Sequence, residues 1–217
     1  KRKRIEIKEL LEKTTPVIIS GQSGTGKSSL FKHIGQLLID KNSQIVEKKN
    51  LPVVLTAIDI LEHNRNIKNL LEDKLSGFFP HSKFQDLYLK YRITVFVDSI
   101  DEFDESIPSI LNQLAEIEKK YKVKYYIATR NSEIIASKSP AKLSTFSIRR
   151  FNLTQIKLFL NAFFSGDEGK CSSLLDAIRD NQMIERLPMS PLTISLLSIL
   201  FEEKELEIPA TISDIFM

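Results

Sequence analysis

Gly21-Gln22-Ser23-Gly24-Thr25-Gly26-Lys27-Ser28 sets glycines, one lysine and one hydroxyl at the spacing G-x-x-x-x-G-K-[ST]. Glycines let a backbone wrap closely around an anion with its N–H groups turned inward, and a helix starting at the end of the loop adds partial positive charge. Lys27 supplies a point charge for β- and γ-phosphates, the Ser28 hydroxyl can ligate Mg²⁺, and Ser29 follows at the start of the same helix. Three of the chain's seven glycines fall in this octapeptide, which favours a phosphate cradle over an ordinary turn.

The second group of chemically capable residues is acidic. Asp98 ends the apolar run Ile93-Thr94-Val95-Phe96-Val97, the arrangement of an acid that holds Mg²⁺ directly or through water. Asp98, Asp101, Glu102, Asp104 and Glu105 place five carboxylates within eight residues. Bringing them to a site whose ligand is anionic is costly unless a divalent cation and Lys27 compensate, so Mg²⁺ belongs to the reading. Asp101 or Glu102 would then polarise an attacking water, while Asp104 and Glu105 suit a helix N-terminus. His33, His63 and His81 show no ligand spacing with one another or with Cys171, and are read as structural or surface residues.

The elements that must position these groups follow from hydrophobic period. Ile5, Ile7, Leu10 and Leu11 predict a short lead-in helix, Thr14 to Ser20 a first strand, and Ser28 to Ile39 the helix after the loop. Lys41 to Asn50 reads as a turn, Leu51 to Thr56 as a second strand, and two helical patterns run through Ile67–Leu75 and Phe84–Tyr88. Ile93 to Asp98 is a third strand, Ile107 to Tyr121 a helix, Val123 to Thr129 a fourth strand and Leu143 to Ile148 a fifth. Strands alternating with helices predict a three-layer α/β fold with a mostly parallel five-stranded sheet, and the loop motif Gly21–Ser28 makes the expected fold that of a P-loop NTPase. Beyond Phe151 the patterns are helical only, over Thr154–Leu160, Ser172–Ile184 and Pro191–Phe201. The expected layout is a lead-in at 1–13, a nucleotide-binding domain at 14–150 and a small helical domain at 151–217.

Composition sets outer limits. With 217 residues, 42% hydrophobic and 27% charged, the chain can build one substantial core and a smaller appendage. A formal charge of +3 does not by itself argue for nucleic acid or membrane, since the run Lys1-Arg2-Lys3-Arg4 alone carries four positive charges. A single cysteine excludes an internal disulfide and fits a reducing, cytoplasmic compartment. No apolar run approaches the ~18 residues that span a bilayer, so no membrane partner is expected. The chain opens without Met and ends in Ile-Phe-Met, which suggests a segment of something longer.

A phosphate loop together with Val95-Phe96-Val97-Asp98-Ser99-Ile100-Asp101-Glu102 resembles the NACHT group of STAND signalling NTPases, which are similar to AAA+ ATPases. The small residue after the metal acid and the Asp-Glu pair are the distinctive parts. Tyr126-Ile127-Ala128-Thr129-Arg130 resembles the family's strand ending in Thr-Ser-Arg, with Ala128-Thr129 in place of the more usual pair. The resemblance implies that Arg130 takes the sensor-1 position and reaches the γ-phosphate. Arg149-Arg150-Phe151-Asn152-Leu153 with Gln155-Ile156 resembles the entry to the family's helical domain, and Pro191-Leu192-Thr193 the segment whose proline packs against adenine. Ile208-Pro209-Ala210-Thr211 resembles the approach to a winged-helix domain.

The resemblance implies binding of ATP or ADP with Mg²⁺, slow ATP hydrolysis, and a nucleotide-dependent homo-oligomer. It also implies upstream and downstream domains of the same full-length chain as partners. An AAA+-type motor or loader acting on nucleic acid or protein is the main alternative, although the second half offers no secure match to an arginine finger or a sensor-2 arginine. A P-loop kinase would need an acceptor pocket and an arginine-bearing lid, and the Asp-Glu pair suits water activation better. A GTPase is disfavoured because no N-K-x-D sequence occurs.

Overall fold

The computed structural model describes residues 4–41, 48–180 and 187–203, apart from the side chain of Asp104. The tribasic start 1–3, most of the expected turn at 41–50, the expected end of the helix reaching Ile184, and the segment 208–211 lie outside the described residues.

Strands β1 (Val17–Ser20) and β3 (Tyr91–Val97) consist largely of β-branched and aromatic residues, and their central side chains are buried on both faces, as interior parallel strands require. With β2 (Lys49–Leu55), β4 (Lys124–Thr129) and β5 (Ser144–Ser147) they form one five-stranded sheet in the order β2-β3-β4-β1-β5, and every pairing is parallel. All five C-terminal ends therefore share one edge. Pro52 sits in β2, which is the edge position where a missing N–H is tolerated.

The helices are α1 (Ile7–Leu11), α2 (Lys27–Asp40), α3 (Ala57–Glu62), α4 (Ile67–Ser76), α5 (Phe84–Lys90), α6 (Ile107–Tyr121), α7 (Ser132–Lys138), α8 (Leu153–Phe163), α9 (Glu168–Asp180) and α10 (Pro191–Glu203). Strand alternation decides which helix covers which face. Ile93, Val95, Val97, Tyr125 and Ile127 join one core with Ile60, Leu70, Leu87, Ile110 and Leu114 from α3 to α6. Phe96 and Tyr126 point the other way and stack with ring centroids 5.1 Å apart, and Phe31 of α2 lies 5.0 Å from Phe96. Truncating a buried phenylalanine such as Phe31 to alanine costs roughly 3–5 kcal/mol. The three layers are thus α2, the sheet, and α3 to α6.

Two short helices carry no sustained period and went unpredicted, yet each has a capped start. At α3, Thr56 Oγ1 accepts from the Asp59 N–H at 3.3 Å while the Asp59 carboxylate accepts from the Thr56 N–H at 2.8 Å. At α7, Asn131 Oδ1 accepts from the N–H groups of Glu133 and Ile134, both at 3.2 Å.

The chain divides into two compact units, residues 1–21 with 27–147, and residues 22–26 with 148–217. In the second, α8 opens with a reciprocal cap in which Asn152 Oδ1 accepts from Gln155 N–H at 2.9 Å and Gln155 Oε1 from Asn152 N–H at 3.1 Å. Ile156, Leu160, Leu174, Ile178, Leu197 and Phe201 from α8, α9 and α10 close a separate core. The loop residues join this unit through α10: the Leu192 N–H donates to the Gly24 carbonyl at 3.3 Å.

Candidate functional site

The strand order fixes the first feature of the site. β4 lies between β1, which leads into Gly21, and β3, which leads into Asp98. Ser20 is level with Thr129 and Val97 with Ile127, so β4 runs past the end of β3 and its last residue lies beside Ser20, where β1 ends. The Gly21 N–H donates to the Thr129 carbonyl at 3.1 Å and the Asp98 N–H to the Leu55 carbonyl at 2.9 Å, which carries the sheet ladder one residue beyond β1 and β3.

Within the loop, Gly24 and Gly26 take φ of +71° and +93°, left-handed values that glycine adopts without a Cβ penalty. A Cβ on Gly24 would also meet Leu192 Cβ at 2.5 Å, so close approach adds a second requirement for glycine there. The Thr25 hydroxyl closes the turn by donating to the Gln22 carbonyl at 2.8 Å. Ser28 and Ser29 are exposed in the first turn of α2, and Gln22 and Ser23 are exposed at the loop tip. Pro191 Cγ would lie 3.9 Å from a Cβ on Gly26, which brings this proline to the loop itself.

Lys27 Nζ donates to the Gly21 carbonyl at 2.7 Å, folding the ammonium back over the loop. Burial pushes its pKa below the ordinary lysine value. Asp101 opposes that shift, Arg130 reinforces it and Asp98 opposes it, so these three charges all act on the lysine.

After Asp98 the chain leaves β3 through Ser99, whose φ of +61° is left-handed for a residue with a Cβ and costs about 1 kcal/mol. A 3₁₀ turn over Ile100–Ser106 follows, anchored by the buried side chains of Ile100 and Phe103. It carries Asp101 to the end of β4. There Asp101 Oδ1 accepts from the Thr129 hydroxyl at 2.5 Å and Oδ2 from the Arg130 N–H at 2.6 Å. Glu102 is exposed, and its carboxylate has no hydrogen bond or ion pair among the described residues. Arg130 is likewise exposed.

Asp98 Oδ1 is buried and has no hydrogen-bond partner among the described residues. A buried carboxylate oxygen without a donor costs on the order of 1–3 kcal/mol or more, and a cation would relieve it. Among the described residues no cluster of three or more His, Cys, Asp or Glu could hold a metal alone. Mg²⁺ takes one or two protein ligands and completes its shell with phosphate and water, and Ser28 and Asp98 are the residues that could hold it. Two of the remaining candidates have structural partners: His63 Nε2 lies 3.2 Å from Asp73 Oδ2, and the buried Cys171 thiol donates to the Lys157 carbonyl. Among the described residues no helix is long and apolar enough to cross a membrane.

The sequence reading gave Thr129 no part in this site and left Leu192 without a role toward the loop. Both depend on contacts between residues far apart in the chain, which neither period nor motif displays.

No family model matches the chain. No curated protein matches it either. Solved structures do. The C. elegans PCH-2 structure is 14% identical with a TM-score of 0.53, the match covering 95% of this chain and 60% of that one. Domain III of the Thermotoga maritima replication initiation protein DnaA is 12% identical with a TM-score of 0.54, covering 94% of this chain and 84% of that one. The Aeropyrum pernix ORC1 protein in complex with DNA is 12% identical with a TM-score of 0.57, covering 94% and 59%. This chain therefore spans about three fifths of the length of the PCH-2 and ORC1 chains. These neighbours are AAA+ ATPases, and at such identities they speak to fold alone. The all-parallel five-stranded sheet with its helices and the glycine loop entering α2 make a three-layer α/β P-loop fold, and the chain is similar to these structures in that fold.

Proposed function

We propose that the chain is an ATP-binding and ATP-hydrolysing switch module of the NACHT type of STAND proteins, its nucleotide state controlling self-association within a longer protein. The observation that carries the nucleotide reading is the buried Asp98 Oδ1, without a hydrogen-bond partner among the described residues, in the same neighbourhood as the loop lysine. Lys27 and the loop N–H groups would bind the β- and γ-phosphates, and Arg130 would approach the γ-phosphate from the end of β4. Glu102, with its carboxylate unengaged, would orient and polarise the attacking water. Mg²⁺, held by Ser28 and Asp98, would neutralise charge on the phosphate oxygens. Pro191, near Gly26, would line the adenine side.

The switch reading rests on the small residue Ser99 after Asp98 and on the Asp101-Glu102 pair, the distinctive parts of the resemblance, which lie at the exit from β3 and in the 3₁₀ turn that follows. The structural neighbours favour a second reading, an AAA+ motor or loader acting on nucleic acid or protein. Phosphate release from ATP and from GTP, alone and with single-stranded DNA, duplex DNA or unfolded protein, separates the two. A switch hydrolyses ATP slowly, is indifferent to these additions, and changes its elution volume between ADP and a non-hydrolysable ATP analogue. Stimulation by one of them favours the motor. Lys27→Ala should lose nucleotide binding by roughly 3–5 kcal/mol, because a desolvated phosphate loses its counter-charge. Calorimetric affinity within threefold of wild type would remove Lys27 from the site.

A further inference from the structure

Two neighbouring acids compete for one catalytic task, and their surroundings divide them. Glu102 is exposed and its carboxylate meets no partner among the described residues, whereas both oxygens of Asp101 accept hydrogen bonds from the end of β4. Thr129 is fully buried, and its hydroxyl is used twice, donating to Asp101 and accepting from the Asn131 N–H at 3.0 Å. Asn131 in turn caps α7 through the N–H groups of Glu133 and Ile134. Arg130 lies inside this chain of contacts: its own N–H is bound by Asp101, and the residues on either side are fixed by the same hydroxyl.

We propose that Asp101 is a positioning residue that clamps the C-terminal end of β4 together with Thr129, and that the clamp holds Arg130 in register with Lys27. The water-side acid is then Glu102 alone. The proposal rests on the ATPase reading for its kinetic consequence, while the clamp itself is a property of the polypeptide. Charge-assisted hydrogen bonds to a carboxylate are about twice as strong as neutral ones and orient their donors closely, which suits the end of a strand that runs two residues past its neighbour β3. A guanidinium displaced by about 1 Å from its target can lose a large factor in rate without weakening ground-state binding.

Thr129→Val keeps the shape and β-propensity of the residue and deletes the hydroxyl, so folding should survive. With Mg-ATP its kcat should fall about tenfold with KM and calorimetric affinity within threefold, and Thr129→Ser should restore the rate. Arg130→Ala should lose at least as much, and the Thr129→Val/Arg130→Ala pair should be no slower than Arg130→Ala alone, because the clamp acts through the arginine. A Thr129→Val enzyme with wild-type kcat, a multiplicative loss in the pair, or failure of the serine variant to rescue would overturn the clamp. If the wild type releases no phosphate from any nucleotide, the ATPase reading alone fails, and amide hydrogen exchange decides the clamp. Exchange at Arg130 about tenfold faster in Thr129→Val supports it, and unchanged exchange refutes it.

Discussion

Asp101 and Glu102 differ by one methylene and one position, and at the residue scale that difference decides which oxygen can meet water. A carboxylate whose two oxygens both point at backbone and hydroxyl donors has its orientation set by the protein, while one that is exposed and unengaged can be set by substrate. Glu102→Gln should therefore keep affinity for ATP and Mg²⁺ within threefold and lower phosphate release about 10²-fold or more, since the amide keeps the shape and cannot take up a proton. Calorimetry with a single-turnover phosphate assay checks this, and a parallel loss of binding would make Glu102 a structural acid. The loop and Asp98 were legible in the sequence because their chemistry is compressed into contiguous residues with a strand before each. Thr129 was not, because its partner lies 28 positions away and a threonine ending a strand looks like ordinary β-propensity.

At the scale of elements, one contact ties the first helix to the sheet. Lys124, at the start of β4, donates through Nζ to the carbonyls of Leu11 at 3.1 Å and Lys13 at 2.6 Å, groups left over where α1 ends. Burial, aided by Lys41, pulls its pKa down to about 8. Below pH 8 the lysine is protonated in both folded and unfolded chains, and its burial is a constant cost. Between pH 8 and its unfolded value of about 10.4 the unfolded chain holds the extra proton, so stability from this residue rises with pH. Relative to Lys124→Met, the wild type should gain in denaturant midpoint between pH 7.5 and pH 10. A difference that stays flat or reverses would mean Nζ is not buried against those carbonyls. Long periodic elements such as α2 and α6 were legible from their apolar spacing, as was the parallel sheet from its nearly all-apolar strands. α3 and α7 span 6 and 7 residues, and their caps are visible in the sequence only once the register of the helix is known.

At the scale of the whole molecule, two hydrophobic cores share no residue: one built by the sheet with α3 to α6, the other by α8, α9 and α10. The loop residues 22–26 group with the second, where the Leu192 backbone bonds the Gly24 carbonyl and the Leu192 side chain fills the space a Cβ on Gly24 would need. Core truncations in the two units should then have different functional reach at similar structural cost. Leu70→Ala in α4 and Leu197→Ala in α10 both remove fully buried leucines, and each should cost about 2–5 kcal/mol of local stability. Hydrogen exchange should quicken around α4 in the first variant and across α8 to α10 in the second, each core opening as its own cooperative unit. Only Leu197→Ala loosens the helix that supports Gly24, so only this variant should weaken nucleotide binding while the protein remains folded, by roughly 1 kcal/mol or about fivefold. Calorimetric titration of both variants with ADP well below their unfolding temperatures reads the difference. Equal losses of affinity, or a larger loss in Leu70→Ala, would mean that α10 does not support the loop and that the phosphate cradle depends on the sheet core alone.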